Sequence, residues 1–126
     1  MNVGDRMSRS VLAVEPATSL RDAARRMCDR RVGSVLVMEG ERMLGIVTER
    51  DVLVAFAGGR FEASVDEVMT RDPETAEPDE SLDQARLVML HGGFRHLPVV
   101  ENRRVVGVLS IRDLLADEGE AVPRGV

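Results

Sequence analysis

The sequence predicts a mixed α/β (α+β) fold of two pseudo-symmetric β-α-β-β-α repeats, packed sheet to sheet about a pseudo-twofold axis. Three observations carry that expectation. First, the chain matches itself: residues 3–53 and 65–115 run together at a constant offset of 62, without a gap. Sixteen of those 51 positions are identical, against about five expected by chance for so biased a composition. Second, each half holds two near-continuous apolar runs of the kind found in strands buried on both faces. Third, helix-start signatures recur at matching places in both copies. A half of about 60 residues buries too little surface to stand well alone, so the halves are expected to share their apolar faces.

The elements follow in order. Asn2 with Asp5, and Ser64 with Glu67, are capping signatures for short helical turns ending near Met7 and Met69. Short extended pieces come next, at Val11–Val14 and Glu74–Ala76, closed by Pro16 and Pro78. Ser19-x-x-Asp22 and Ser81-x-x-Gln84 then open longer helices. Leu20, Ala23, Ala24, Met27 and Cys28 fall at helical spacing, which predicts a buried, inert Cys28 thiol; its counterpart is Leu90. Strands are expected at Ser34–Met38 and Met43–Thr48, joined by Glu39-Gly40-Glu41, and at His96–Val100 and Val105–Ser110, joined at Asn102. A helix after Asp51 runs to Ala57, where Gly58-Gly59 ends it. The expected division is repeat 1 at 1–57, a linker at 58–63, repeat 2 at 64–117, and a patternless tail at 118–126 expected to be disordered.

Composition excludes several function classes. All seventeen basic residues are arginine. Without lysine there is no Walker-type phosphate loop, pyridoxal Schiff base or lysine nucleophile. Trp and Tyr are absent, so base-stacking platforms of the single-strand-binding kind are missing. The net charge of −5 argues against general polyanion binding. Arg21, Arg25, Arg26, Arg30 and Arg31 crowd the first long helix, but Asp22 and Asp29 intersperse them, as on a solvated face or a protein contact. Neither the single cysteine nor His91 and His96 has metal-site or catalytic-pair spacing, so no enzyme activity is expected. No run is long enough to span a bilayer and no signal-peptide pattern opens the chain, so a cytoplasmic location without a membrane partner is expected.

The chemistry concentrates in Gly45-Ile46-Val47-Thr48-Glu49-Arg50-Asp51-Val52-Leu53 and its copy Gly107-Val108-Leu109-Ser110-Ile111-Arg112-Asp113-Leu114-Leu115. Each reads as a buried strand running straight into a helix. A hydroxyl and a carboxylate three residues apart at a helix start form a capping box. The same helix start, with free amides and a positive dipole end, can serve as an anion site. Its carboxylate can accept hydrogen bonds from ribose hydroxyls, as the acidic residue of dinucleotide folds does. Both readings stand on the residues alone.

From Val3 to Leu115 the pattern resembles the tandem cystathionine-β-synthase (CBS) domain pair, or Bateman module. Its carriers are Arg6-Met7-Ser8 and Val68-Met69-Thr70, then Val32-Gly33-Ser34-Val35-Leu36-Val37, Phe94-Arg95-His96-Leu97-Pro98-Val99-Val100 and the two Gly-to-Asp segments above. The resemblance implies a regulatory module that binds AMP, ADP or ATP, less often S-adenosylmethionine, in clefts between the repeats, and dimerises. It implies ribose binding by Asp51 and Asp113, with Thr48 and Ser110 near the phosphates and Arg50 and Arg112 beside them. Arg95 and His96 match positions that face phosphate, where the first half has Gly33 and Ser34. Adenine is implied near the first strand of each half, around Leu12 and Ala13 and around Thr75. No required cofactor is implied, and no further domain is expected. The expected partners are an adenosine nucleotide, a second copy of the chain and an unidentified regulated protein, with nucleic acid disfavoured. The alternative is a structural or protein-interaction module without a nucleotide.

Overall fold

A computed structural model describes residues 1–60 and 62–116; the expected disordered tail at 118–126 lies outside them. The elements run α1 (Val3–Arg6), β1 (Ala13–Val14), α2 (Leu20–Arg30), β2 (Ser34–Glu39), β3 (Arg42–Thr48) and α3 (Glu49–Ala57). The order then repeats: α4 (Val65–Val68), β4 (Thr70–Arg71), α5 (Leu82–Gly92), β5 (His96–Glu101), β6 (Arg104–Ser110) and α6 (Ile111–Ala116). The mixed α+β class and the two repeats of strands and helices are those the sequence predicts, but β4 is not among the expected strands and is not the counterpart of β1: at the offset of 62, Thr70–Arg71 match Ser8–Arg9. Among the described residues no helix is long and apolar enough to cross a membrane.

The chain divides into two compact units, Val11–Pro73 and Met1–Ser10 with the chain from Glu74 onward. These are not the two repeats as written in sequence. The opening turn of each repeat packs in the unit that holds the other repeat's body.

In the Val11–Pro73 unit the sheet order is β1-β2-β3-β4, with β1 parallel to β2 and the other pairs antiparallel. β2 alternates to neither side: Ser34, Val35, Leu36 and Val37 are all buried, which its unbroken apolar run dictates. The Ser19 hydroxyl accepts from the Asp22 amide at 3.1 Å and starts α2. That helix turns Leu20, Ala23 and Met27 into a core with Val35, Val37, Val47 and Ala55. Val65 and Met69, from the opening turn of repeat 2, complete the same core.

The other unit repeats the plan with two strands, β5 and β6, antiparallel. Both hairpins shift register at the same station, after Val37 and after Val99. Val3 and Met7 here join Ala76, Leu82, Ala85, Met89, Leu97, Val99, Leu109 and Leu114 in one core. Ser8 bridges Val108 by two backbone bonds of 2.9 Å.

Two expectations are corrected. Cys28 is exposed, not buried. The buried stripe of α2 is Leu20, Ala23 and Met27; one residue further turns about 100° around a helix, off a stripe this narrow. Its counterpart Leu90 is likewise 72% exposed. The second correction concerns Glu74–Ala76, which forms no strand but a single parallel bridge, Ala76 to Val99. The cause is Pro98. In the first unit the Leu36 N–H donates to the Leu12 carbonyl at 2.9 Å. Pro98 stands at Leu36's station and has no N–H to give.

Candidate functional site

The two helix starts are built alike. β3 ends at Thr48, opposite Ser34, and α3 begins at once. The Thr48 N–H donates to Asp51 Oδ2 at 2.8 Å, the Thr48 hydroxyl to the same oxygen at 3.1 Å, and the Asp51 N–H to Thr48 Oγ1 at 3.4 Å. In the other unit β6 ends at Ser110, opposite His96. There the Ser110 N–H reaches Asp113 Oδ2 at 2.8 Å, the Ser110 hydroxyl reaches it at 3.0 Å, and the Asp113 N–H reaches Ser110 Oγ at 3.4 Å. The first helical amides are also taken: Glu49 N–H by Gly33 O at 3.1 Å and Ile111 N–H by Arg95 O at 2.9 Å.

So the capping box is closed in both copies, and these helix starts are less open to an anion than the free amides of an uncapped helix. What stays available is on the carboxylates. Oδ2 of each takes both capping donors, and among the described residues Oδ1 of Asp51 and of Asp113 takes none. Among those residues no buried side-chain oxygen lacks a partner, so both Oδ1 atoms reach the surface. An ionised oxygen at a helix start, with its partner oxygen already fixed, is a pre-oriented acceptor for a hydroxyl donor.

The remaining candidates fall at the same strand ends. In the Val11–Pro73 unit, Arg50 and Ala13 are exposed, whereas Leu12 puts its side chain in the core. In the other unit Thr75, Arg95 and Arg112 are exposed and His96 is half-buried opposite Ser110. The bridge of Ala76 to Val99 brings Thr75 to the same end of β5 as His96. Residue types alone missed Pro98 as the reason the two sites differ at their edge. Comparing Leu36 with Pro98 across the offset of 62 would have revealed it, because a proline inside a buried strand deletes a ladder donor.

The CBS domain pattern matches residues 3–58 and again 65–118. This chain belongs to the CBS domain family. An uncharacterized 17.7 kDa protein of Acidianus ambivalens is 36% identical over 106 residues, covering 82% of this chain and 65% of that protein. The CBS domain-containing protein CBSCBSPB2 of Arabidopsis thaliana is 41% identical over 116 residues, 89% of this chain but 22% of its own length. This CBS pair thus spans under two-thirds of either relative. Among solved structures, the CBS domain pair of protein MJ0100, in complex with 5′-methylthioadenosine and S-adenosyl-L-methionine, superposes with a TM-score of 0.88 at 27% identity. That match covers 94% of this chain and 96% of the other.

Proposed function

We propose that this CBS pair is a regulatory, non-catalytic module that senses adenosine nucleotides (AMP, ADP or ATP), with S-adenosylmethionine as a less favoured ligand. The observation that carries the reading is the pair of congruent caps whose Asp51 and Asp113 keep one carboxylate oxygen at the surface. A ribose diol meets that oxygen without opening the cap. The adenosine compounds bound by the MJ0100 pair support the ligand class. Arg95 and His96 occur in only one unit, where the other has Gly33 and Ser34, so the Asp113 site prefers the ligand with more phosphate.

Calorimetric titration with AMP, ADP, ATP and S-adenosylmethionine tests the proposal. Charge-assisted hydrogen bonds are worth about 1.5–3 kcal/mol each, so Asp113→Ala should weaken binding at its site about tenfold to over a hundredfold. Absence of titration heat with every adenosine compound at millimolar concentration would sink the reading. The closed capping boxes favour one alternative, a structural or protein-interaction module. In that case Asp113→Ala costs about 1 kcal/mol of stability and no ligand effect accompanies it.

The same reading includes a homodimer acting on a regulated protein. Leu53, Val54 and Phe56 on α3 are each more than 60% exposed, as is Leu90 on α5, more large apolar surface than a helix face normally leaves to water. Sedimentation at micromolar concentration should give a dimer, and Phe56→Glu with Leu90→Glu should give monomer.

A further inference from the structure

Among the differences between the two units is a backbone hydrogen bond that lies where the chain crosses from one unit to the other. The crossings are at Ser10–Val11 and Pro73–Glu74. After the first, Leu12 is fixed to the sheet because its carbonyl accepts the Leu36 N–H at 2.9 Å, and Ala13 and Val14 pair with Leu36 and Val37. After the second, the flanking bonds survive: Ala76 N–H donates to Pro98 O at 2.9 Å and Val100 N–H to Ala76 O at 2.8 Å. The bond that would hold Glu74 is absent, since Pro98 cannot donate. Glu74 and Thr75 are both exposed, and neither has a hydrogen bond to another described residue. The strand end therefore hangs from Ala76 alone.

We propose that Glu74–Thr75 is a ligand-responsive strap: loose when the Asp113 site is empty and ordered when a nucleotide occupies it, while Leu12–Ala13 stays fixed in either state. The inference rests on the nucleotide reading above for its ligand, but not for the looseness of the strap. Register places the strap where it can respond. Ala76 lies opposite Val99 on β5, and the near end of β5, His96, lies opposite Ser110 of the cap. Two strand spacings, about 10 Å, separate the strap from the cap, comparable to the reach of a nucleoside from its ribose diol to its base edge. A ligand bridging them orders a segment the sheet leaves free, and its affinity is reduced by that ordering. Because the strap is also the chain's passage between units, occupancy of one site alone changes the stiffness of one crossing alone. Pro98 is the residue that sets this difference.

Amide hydrogen exchange on the full chain tests the strap. Without ligand, the Ala76 amide should exchange about fivefold faster than the Val14 amide, its counterpart, a factor typical of one net hydrogen bond. Pro98→Leu, which installs the residue the other unit already tolerates, should slow Ala76 to the Val14 rate. Leu36→Pro should speed Val14 by the same factor. Saturating AMP should slow Ala76 exchange in the wild type and leave it unchanged in Pro98→Leu. With the other site removed by Asp51→Ala, Pro98→Leu should bind AMP about fivefold more tightly, because the ordering is already done. Equal rates at Ala76 and Val14 in the unliganded wild type, or no slowing in Pro98→Leu, overturns the strap. AMP bound with Ala76 exchange unchanged overturns its response to ligand. If AMP does not bind at all, the nucleotide reading and the response fall together, while the ligand-free rates still decide whether the strap is loose.

Discussion

Arg31 and Gly93 hold the same station, 62 residues apart, at the C-terminal caps of α2 and α5. Both are left-handed, with φ of 55° at Arg31 and 71° at Gly93. The backbone needs glycine there and one repeat supplies it. A side chain in that region costs about 1–2 kcal/mol, and the extra freedom of an unfolded glycine gives back about 0.5–1 kcal/mol. Arg31→Gly is therefore expected to stabilise the protein by about 0.5–1 kcal/mol in urea denaturation. The hairpin after β5 offers a second case, since Asn102 and Arg103 both have positive φ, 52° and 66°. Asn-Gly is the pair such a two-residue turn prefers, so Arg103→Gly should also raise the denaturation midpoint. If both variants lower it, the strain argument fails.

At the scale of elements, the strands ending at Thr48 and Ser110 are pinned from one side by the opening segments. A Cβ on Gly45 would stand 2.5 Å from the Thr70 carbonyl oxygen, and one on Gly107 would stand 2.7 Å from the Ser8 carbonyl oxygen. Gly45→Ala and Gly107→Ala should each cost about 1–3 kcal/mol, measured by chemical denaturation, because the obstructing atoms are backbone. This is the physical content of the Gly that opens each duplicated segment. The helices, hairpins and caps were legible because their signals are local: Ser19 and Ser81 do cap, and Thr48 and Ser110 do close boxes with Asp51 and Asp113. Cys28 was misread because spacing cannot tell how wide a stripe the sheet will cover. The strand at Glu74–Ala76 was misread because its partner's missing donor lies more than twenty residues away, at Pro98. The site was legible as residue types. That the carboxylates offer one oxygen each, and not two, depends on bonds only folding creates.

For the whole molecule, the decisive feature is that the opening turns are exchanged. Val3 is fully buried among residues from Ala76 to Leu114, and Val65 is fully buried among residues from Leu12 to Ala55. The Val11–Pro73 unit is thus continuous in sequence, while the other is assembled from two separated pieces. Removing residues 1–10 should leave the first unit's amide protection intact and strip the second of Val3 and Met7, two core side chains worth about 2–5 kcal/mol together. Uniform loss of protection across both units would contradict this. A piece cut as 11–73 keeps every side chain of its core, whereas a piece cut as 1–57, the repeat as sequence defines it, lacks Val65 and Met69, so the first should show the greater amide protection. The exchange also imposes an order on synthesis. A ribosome that has released Pro73 has delivered everything the first unit requires. Val3 and Met7, made before that unit, must wait for residues 76–114 to complete the core that buries them. These two side chains thus precede the first unit in synthesis yet are buried after it, and in the interval they are apolar surface open to capture by a chaperone.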